Sequence, residues 1–155
     1  MDEIRAARLA LKWQLQNEWP GTRCACGEEG ATDLGHIVYT RHPDSVELYD
    51  RRNCAMLHNT CNTRQESLWI NVNACLILLE RAGGPEKWLE WAQGISRKGD
   101  FWIPTKMEIA IDLWNGKVRA FDLSRIRGSF LTSDGGLWQL DDHIDWLLRR
   151  ERNNE

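Results

Sequence analysis

"RRNCAMLHNTCN", residues 51–62, decides how this chain is read. Its apolar part, "NCAML", has the length and flanks of a short strand. The residues after it are not core: His58 and Cys61 stand three positions apart where that strand would turn into a helix. Upstream, "GTRCACGEEGATD", residues 21–33, is dense in glycine and small polar residues and reads as a loop carrying two more thiols, Cys24 and Cys26. Two close pairs, each on one tight turn, are what a tetrahedral zinc site needs, because each supplies two ligands and the metal staples the turns together. The H-x-x-C spacing is good, and the C-x-C pair is tighter than the usual C-x-x-C. Cys24, Cys26, His58 and Cys61 are therefore the expected ligands of a structural Zn²⁺. Cys54 and Cys75 sit among apolar neighbours and read as core, where free cysteines commonly lie.

Working outward, Asp2 is placed to cap a first amphipathic helix that runs from Glu3 to about Trp19, where Pro20 ends it. "DLGHIVY", residues 33–39, reads as a strand, "TRHPDSVELYDRR" as a connecting loop, and "NCAML" as the second strand. From about Cys61 the pattern turns helical, with Leu68, Trp69, Val72, Cys75, Leu76 and Leu79 on one face up to Gly83-Gly84. Pro85 opens another helix with Trp88, Trp91, Ala92 and Ile95 as its stripe. "SRKGDFWIP" reads as a linker. "TKMEIAIDLWNGKVRAFDL" admits a helix begun by a Thr105–Glu108 capping box or a hairpin across Asn115-Gly116; the helix, ending at Asn115-Gly116, is preferred. Asp141 or Asp142 would cap a last helix, with His143 on its surface.

The 155 residues suit one compact domain of α+β class. They divide into an N-terminal helix (1–20), a zinc domain with its following helices (21–95) and a mainly helical C-terminal extension (96–155). Nine tryptophans are many for this length, and large rings mostly serve packing. The net charge of -3 means that any contact with a polyanion rests on local clusters. No basic segment precedes an apolar one at the N-terminus, and the longest apolar run, Ala74 to Leu79, is too short to span a bilayer. A soluble, cytoplasmic protein with no membrane partner is expected. Five cysteines, an odd number unevenly spread, do not make a secreted disulfide framework.

Around the zinc pattern stand His36, Asn53 and Asn62, in "GHIV", "RRN" and "CNTR". This set resembles the HNH endonucleases, whose zinc-stapled ββα-metal, treble-clef-like core carries a histidine on the first strand, an asparagine opening the second, and a histidine or asparagine just after the last zinc-ligand cysteine. "LGHIVYTRH", the N....H..CN run and "WINVNACLILLERAGGPEKWLEW" look most like the NinG/Rap-type recombination nucleases of lambda-like phages. The likeness covers roughly residues 22–95. It implies a phage-encoded, metal-dependent nuclease, working in the host-cell cytoplasm, that hydrolyses DNA phosphodiester bonds with structure-selective or weakly sequence-specific cleavage. His36 would be the general base, and an imidazole titrates near working pH. Asn53 would hold the His36 ring or its loop, and Asn62 would stand on or beside a catalytic Mg²⁺ or Mn²⁺. Where many HNH enzymes place a metal ligand immediately before the catalytic histidine, this chain has Gly35. Asp33, of the same strand parity but two residues away, is one candidate for a replacement ligand, and His42 and Asp50 on the connecting loop are others.

Arg64, Arg41, Arg51 and Arg52 surround the site in sequence and are the expected phosphate contacts to DNA, branched or recombination intermediates included. Two alternatives keep the fold without catalysis: an HNH-fold zinc module that binds nucleic acid, or one that inhibits or regulates a partner protein, with the C-terminal extension as its docking surface.

Overall fold

Asp2 opens the first helix, its carboxylate accepting the Ile4 amide at 3.0 Å. In the computed structural model, which describes residues 2–40, 45–64, 68–96, 101–122, 129–131 and 137–139, this helix, α1, spans Glu3–Gln16 and buries Leu11 and Leu15. It stops short of Trp19 because the Asn17 side chain donates to the Trp13 carbonyl at 2.9 Å and its backbone amide turns back to Gln14. A short polar side chain here gives the helix carbonyls a partner other than the next turn.

After the cysteine loop, strand β1 (Asp33–His36) pairs antiparallel with β2 (Cys54–Leu57), setting Asp33 opposite Leu57 and His36 opposite Cys54. The strand expected to reach Tyr39 ends at His36. Ile37 still donates to the Asn53 carbonyl at 2.8 Å, but the Val38 and Tyr39 amides turn to the Asn53 side-chain oxygen at 3.3 and 2.9 Å. A 3-10 turn, Val46–Leu48, lies in the connection.

The helix expected from about Cys61 is two helices, α2 (Asn59–Arg64) and α3 (Leu68–Ala82). α3 is apolar nearly all round and buries Val72, Cys75, Leu76, Ile77, Leu78 and Leu79, as the central helix of a core must. It ends at Gly83, where φ is 90° and the amides of Gly83 and Gly84 close on the Leu79 carbonyl at 3.0 and 2.9 Å. α4 (Pro85–Ile95) starts with proline in its first turn, as expected. Its Trp88 is fully buried, donates Nε1–H to the Arg52 carbonyl at 2.8 Å, and stacks on Tyr39 at 6.4 Å between centroids.

The preferred helix at 105–115 is present as α5 (Thr105–Asn115) and ends at Gly116. Its expected capping box is not. Pro104, with φ fixed at -68°, is the cap residue, and its carbonyl receives the Met107 and Glu108 amides, so Thr105 is already inside the helix. α5 packs along α3 and puts Met107, Ile109 and Ala110 into the core that holds Leu76 and Leu79. Beyond it, β3 (Ser129–Leu131) and β4 (Leu137–Gln139) form an antiparallel hairpin. The described part of the extension is thus a helix of 11 residues and a pair of three-residue strands, the strands not having been expected. The last helix, expected from Asp141 or Asp142, and His143 lie outside the described residues. Five helices with these two small sheets make the described chain α+β, and none of the helices is long and apolar enough to cross a membrane.

Two buried polar side chains tie the cysteine loop and hairpin to this helical core. Asn73 donates to the Ala25 carbonyl at 2.7 Å and accepts the Phe121 amide at 2.8 Å. Arg81 donates to the carbonyls of Arg51 and Cys54, at the start of β2.

Candidate metal centre and its surroundings

The cysteine loop folds as a knuckle. The Gly27 amide donates to the Cys24 carbonyl at 2.8 Å, and the Cys24 amide to the Glu28 carbonyl at 2.9 Å. The turn requires φ of 97° at Gly27, a conformation that side chains disfavour. Both thiols of the C-x-C pair are thereby turned toward the end of β2, where His58 precedes α2 and Cys61 lies within it.

One ligand atom from each of Cys24, Cys26, His58 and Cys61 falls within 4.8 Å of the others. A tetrahedral zinc with Zn–S of ~2.3 Å and Zn–N of ~2.0 Å sets its ligand atoms ~3.5–3.8 Å apart. His58 Nδ1 lies 3.4 Å from Cys26 Sγ and 3.9 Å from Cys61 Sγ, close to that spacing. The other ring nitrogen, Nε2, is 2.7 Å from the Glu29 carbonyl, which can only accept a hydrogen bond. Nε2 therefore carries the proton, and Nδ1 presents its lone pair to the three sulfurs. The backbone amides of Cys26 and His58 both donate to Cys24 Sγ at 3.4 Å, the arrangement that steadies a thiolate. Burial, followed by the neighbouring Cys24 and Cys26 sulfurs, pushes the Cys61 thiol up to about 12. Crowded sulfurs oppose one another's ionisation, and a cation among them would favour the thiolate forms. In donor type, spacing and tautomer these four residues could bind zinc, as expected.

Cys54 and Cys75 are fully buried away from this cluster and belong to the core. Burial pushes each thiol up to about 12, which makes them unreactive.

Asn62 follows Cys61 directly, and α2 presents it to β1. A Cβ placed on Gly35 would lie 2.7 Å from Asn62 Oδ1 and 2.7 Å from Leu57 Cδ1. Glycine at this position is thus a close approach between strand and helix. Asp33, two residues earlier, accepts from Asn59 Nδ2 at 2.9 Å. The Asn59 amide first, with contributions from Thr32, Asn62 and the Lys12 charge, holds the Asp33 carboxyl below the usual carboxylate range. Asp33, Asn59 and Asn62 therefore form one polar cluster at the edge of the β1–β2 pair.

His36 is half-buried, with its ring 4.7 Å from the Tyr49 ring. Asn53 is fully buried. Its oxygen accepts from Val38 and Tyr39, and its Nδ2 donates to the Tyr39 and Leu48 carbonyls at 3.0 Å each. Those four bonds fill a carboxamide, so Asn53 fastens the loop after His36 rather than the ring itself.

The expected phosphate contacts divide. Arg51 donates to the Arg81 carbonyl and pairs with Glu18. Arg52 makes a two-pronged pair with Asp50, at 2.8 and 2.9 Å, and lies over the Trp91 ring. Both are committed within the molecule, as is Asp50, one of the alternative metal ligands. Arg41, His42 and the Arg64 side chain lie outside the described residues. Asn59, Tyr49, Glu29 and Asn73 were not read from the sequence. Asn59 alone left a signal, since Asn59 and Asn62 are three apart and share one helix face. No protein-family model matches the chain, and comparisons with curated proteins and with solved structures return no significant match.

Proposed function

We propose that this chain is a metal-dependent endonuclease of HNH type, with a zinc-stapled ββα-metal core, that hydrolyses DNA phosphodiester bonds. The observation that carries the proposal is Asn62: the residue next to Cys61 of the metal cluster is packed against Gly35 and Asp33, on the strand that carries His36. A strand pair and helix stapled in this way bring a base and a polar anion-tolerant cluster onto one small unit.

In this scheme the His36 imidazole accepts the proton of the attacking water, with Tyr49 packed against its ring and Asn53 holding the following loop. The Asp33 carboxylate and Asn62 Oδ1 are the oxygens that would hold a Mg²⁺ or Mn²⁺ ion, hard cations that prefer such donors. When bound, that ion would polarise the phosphate and offset charge developing on its oxygens. Zinc at the cysteine cluster has a structural role only. The test is incubation of supercoiled plasmid and of a branched DNA with the protein in Mg²⁺ or Mn²⁺, beside His36→Ala. Nicked or linear product from the wild type, and none from the variant at equal zinc content, is expected. No cleavage of any substrate, or equal cleavage by the variant, refutes the proposal.

A non-catalytic zinc module that binds nucleic acid or regulates a partner through residues 96–155 is favoured by one contact, the Asn59 amide on Asp33, because that carboxylate is already satisfied without a metal. Such a protein would shift DNA with a steep salt dependence and cut none of it.

A further inference from the structure

In α1, Leu11 and Leu15 point into the core, and Arg5, Arg8 and Lys12, spaced three and four apart, form one stripe along its flank, with Arg5 and Arg8 exposed and Lys12 half-buried. Between Glu3 and Glu18 the chain has no acidic residue, and none of the three cations has an ion pair among the described residues. Beside the stripe stand Leu9, 45% exposed, and Trp13, 70% exposed, the most exposed large apolar side chain among the described residues. A chain of net charge -3 has gathered cations here without counter-charges and set a bare indole on the neighbouring face of the same helix.

This stripe also leads somewhere. α1 packs against β1 and β2, so the helix runs beside the strand that carries Asp33, and the Lys12 charge adds a small part to what holds Asp33 low. A polyanionic strand satisfies both features at once: cations at helical spacing take successive phosphates, and an exposed indole offers a stacking platform to a base. Stacking needs a base whose face is free, which favours an unpaired stretch over a closed duplex.

We propose that α1 is the strand-guiding surface of this protein, with Arg5, Arg8 and Lys12 holding the phosphates of an unpaired nucleic-acid segment and Trp13 stacking on one of its bases beside the Asp33–Asn62 site. The inference rests on the nuclease reading for what happens at that site, but the binding it asserts is measured separately.

The probe is a fluorescein-labelled thymidine oligonucleotide, with binding followed by anisotropy over a salt series. Arg5→Gln/Arg8→Gln/Lys12→Gln and Trp13→Ala are compared with the wild type. Arg5, Arg8 and Trp13 are exposed and Lys12 is half-buried, so thermal melts are run beside the binding curves, and Arg5→Gln/Arg8→Gln, at exposed positions alone, should give about two thirds of the slope change of the triple variant. Removing three single-strand phosphate contacts, each worth ~0.7 in the slope, should make log K against log salt shallower by about 2. Between ~50 and ~200 mM salt the wild type should then lose about 20-fold more affinity than the triple variant. Trp13→Ala should bind the oligonucleotide about tenfold more weakly and leave binding of a blunt duplex nearly unchanged. A triple variant with the wild-type slope overturns the inference, as does unchanged binding by Trp13→Ala. Binding to phosphatidylserine vesicles in preference to the oligonucleotide, lost in Trp13→Ala, overturns it too and makes the face a membrane contact. Plasmid cleavage together with an unaltered slope sinks the inference and leaves the nuclease proposal standing; an altered slope with no cleavage does the reverse.

Discussion

Gly35 is where the packing and the proposed chemistry make the same demand, and Gly35→Ala tests both. The strand backbone there accepts any residue, so the substitution should gain about 0.5–1 kcal/mol simply from replacing glycine within a strand. Against that gain stands crowding. The new methyl would sit 2.7 Å from Asn62 Oδ1 and 2.7 Å from Leu57 Cδ1, and ordinary contact begins at 3.4 Å, so both neighbours must retreat by the difference, 0.7 Å. Leu57 is held in the core at 4% exposure, which leaves Asn62 as the group that moves most. Overpacking of this kind costs about 1–3 kcal/mol, for a net loss of up to about 2.5 kcal/mol. In a chain of this length that lowers the midpoint of thermal unfolding by up to about 10 °C. Gly94→Ala is the control: a Cβ there meets nothing within 4 Å, and within α4 it should hold or raise stability. Differential scanning calorimetry supplies the melts, zinc content should stay at the wild-type level, and plasmid cleavage should fall with the displacement of Asn62. A Gly35→Ala protein that melts above the wild type would show that strand and helix do not approach as described, and the account of why this position lacks a side chain would fail.

Three further outcomes rest on single side chains. Asn53→Ala removes a fully buried carboxamide that serves four backbone groups and should cost about 2–4 kcal/mol in urea unfolding; Asn53→Asp should rescue little, because the Tyr39 and Leu48 carbonyls would still lack a donor. For Asp50, burial works to raise the carboxyl, but the Arg52 bonds outweigh it and hold the group below the ordinary carboxylate range. A depressed acid contributes stability above its unfolded value and loses it as pH falls through the folded one, so the advantage of wild type over Asp50→Asn in urea should be full at neutral pH and should close below about pH 4. Metal analysis should find about one zinc per chain, and Cys61→Ser should lose it and melt earlier; undiminished zinc in that variant would refute the ligand set.

What the sequence disclosed is what depends on local spacing. Cys24 with Cys26 and His58 with Cys61 are each held by one turn, so the pairs could be read without knowing the fold, and the strand pair between them implied that the two turns meet. Asp2, Pro85 and Gly83 announced helix ends for the same local reason. Asn53 was placed but its task was left open, because whether it serves the His36 ring or the loop depends on Tyr39 and Leu48 returning to it from 14 and 5 residues away. The closeness of Gly35 to Asn62 is a tertiary fact that no spacing encodes. Arg51 and Arg52 resemble a phosphate-binding pair until Glu18 and Asp50 are seen to take them, whereas Arg5, Arg8 and Lys12 lie on a helix whose amphipathic stripe drew attention to its other side.

The metal cluster and the candidate reacting cluster are also coupled by geometry. α2 has only 6 residues, too few to persist as an isolated helix in water. Its start is fixed by His58 and its first turn by Cys61, with the Asn62 amide bonded to the His58 carbonyl at 2.9 Å. Pinning those two ligands to the Cys24–Cys26 knuckle would therefore help keep Asn62 against Gly35. A zinc bound here would steady a side chain of the neighbouring cluster without itself touching that cluster. Asn59, at the other end of the same turn, fixes Asp33, so both oxygens assigned to the second cation depend on one short helix. In the proposed scheme, that dependence would let a glycine without any ligand atom stand before His36. The strand contributes space at Gly35, the donors come from Asp33 and α2, and the thiol cluster keeps α2 where that space is.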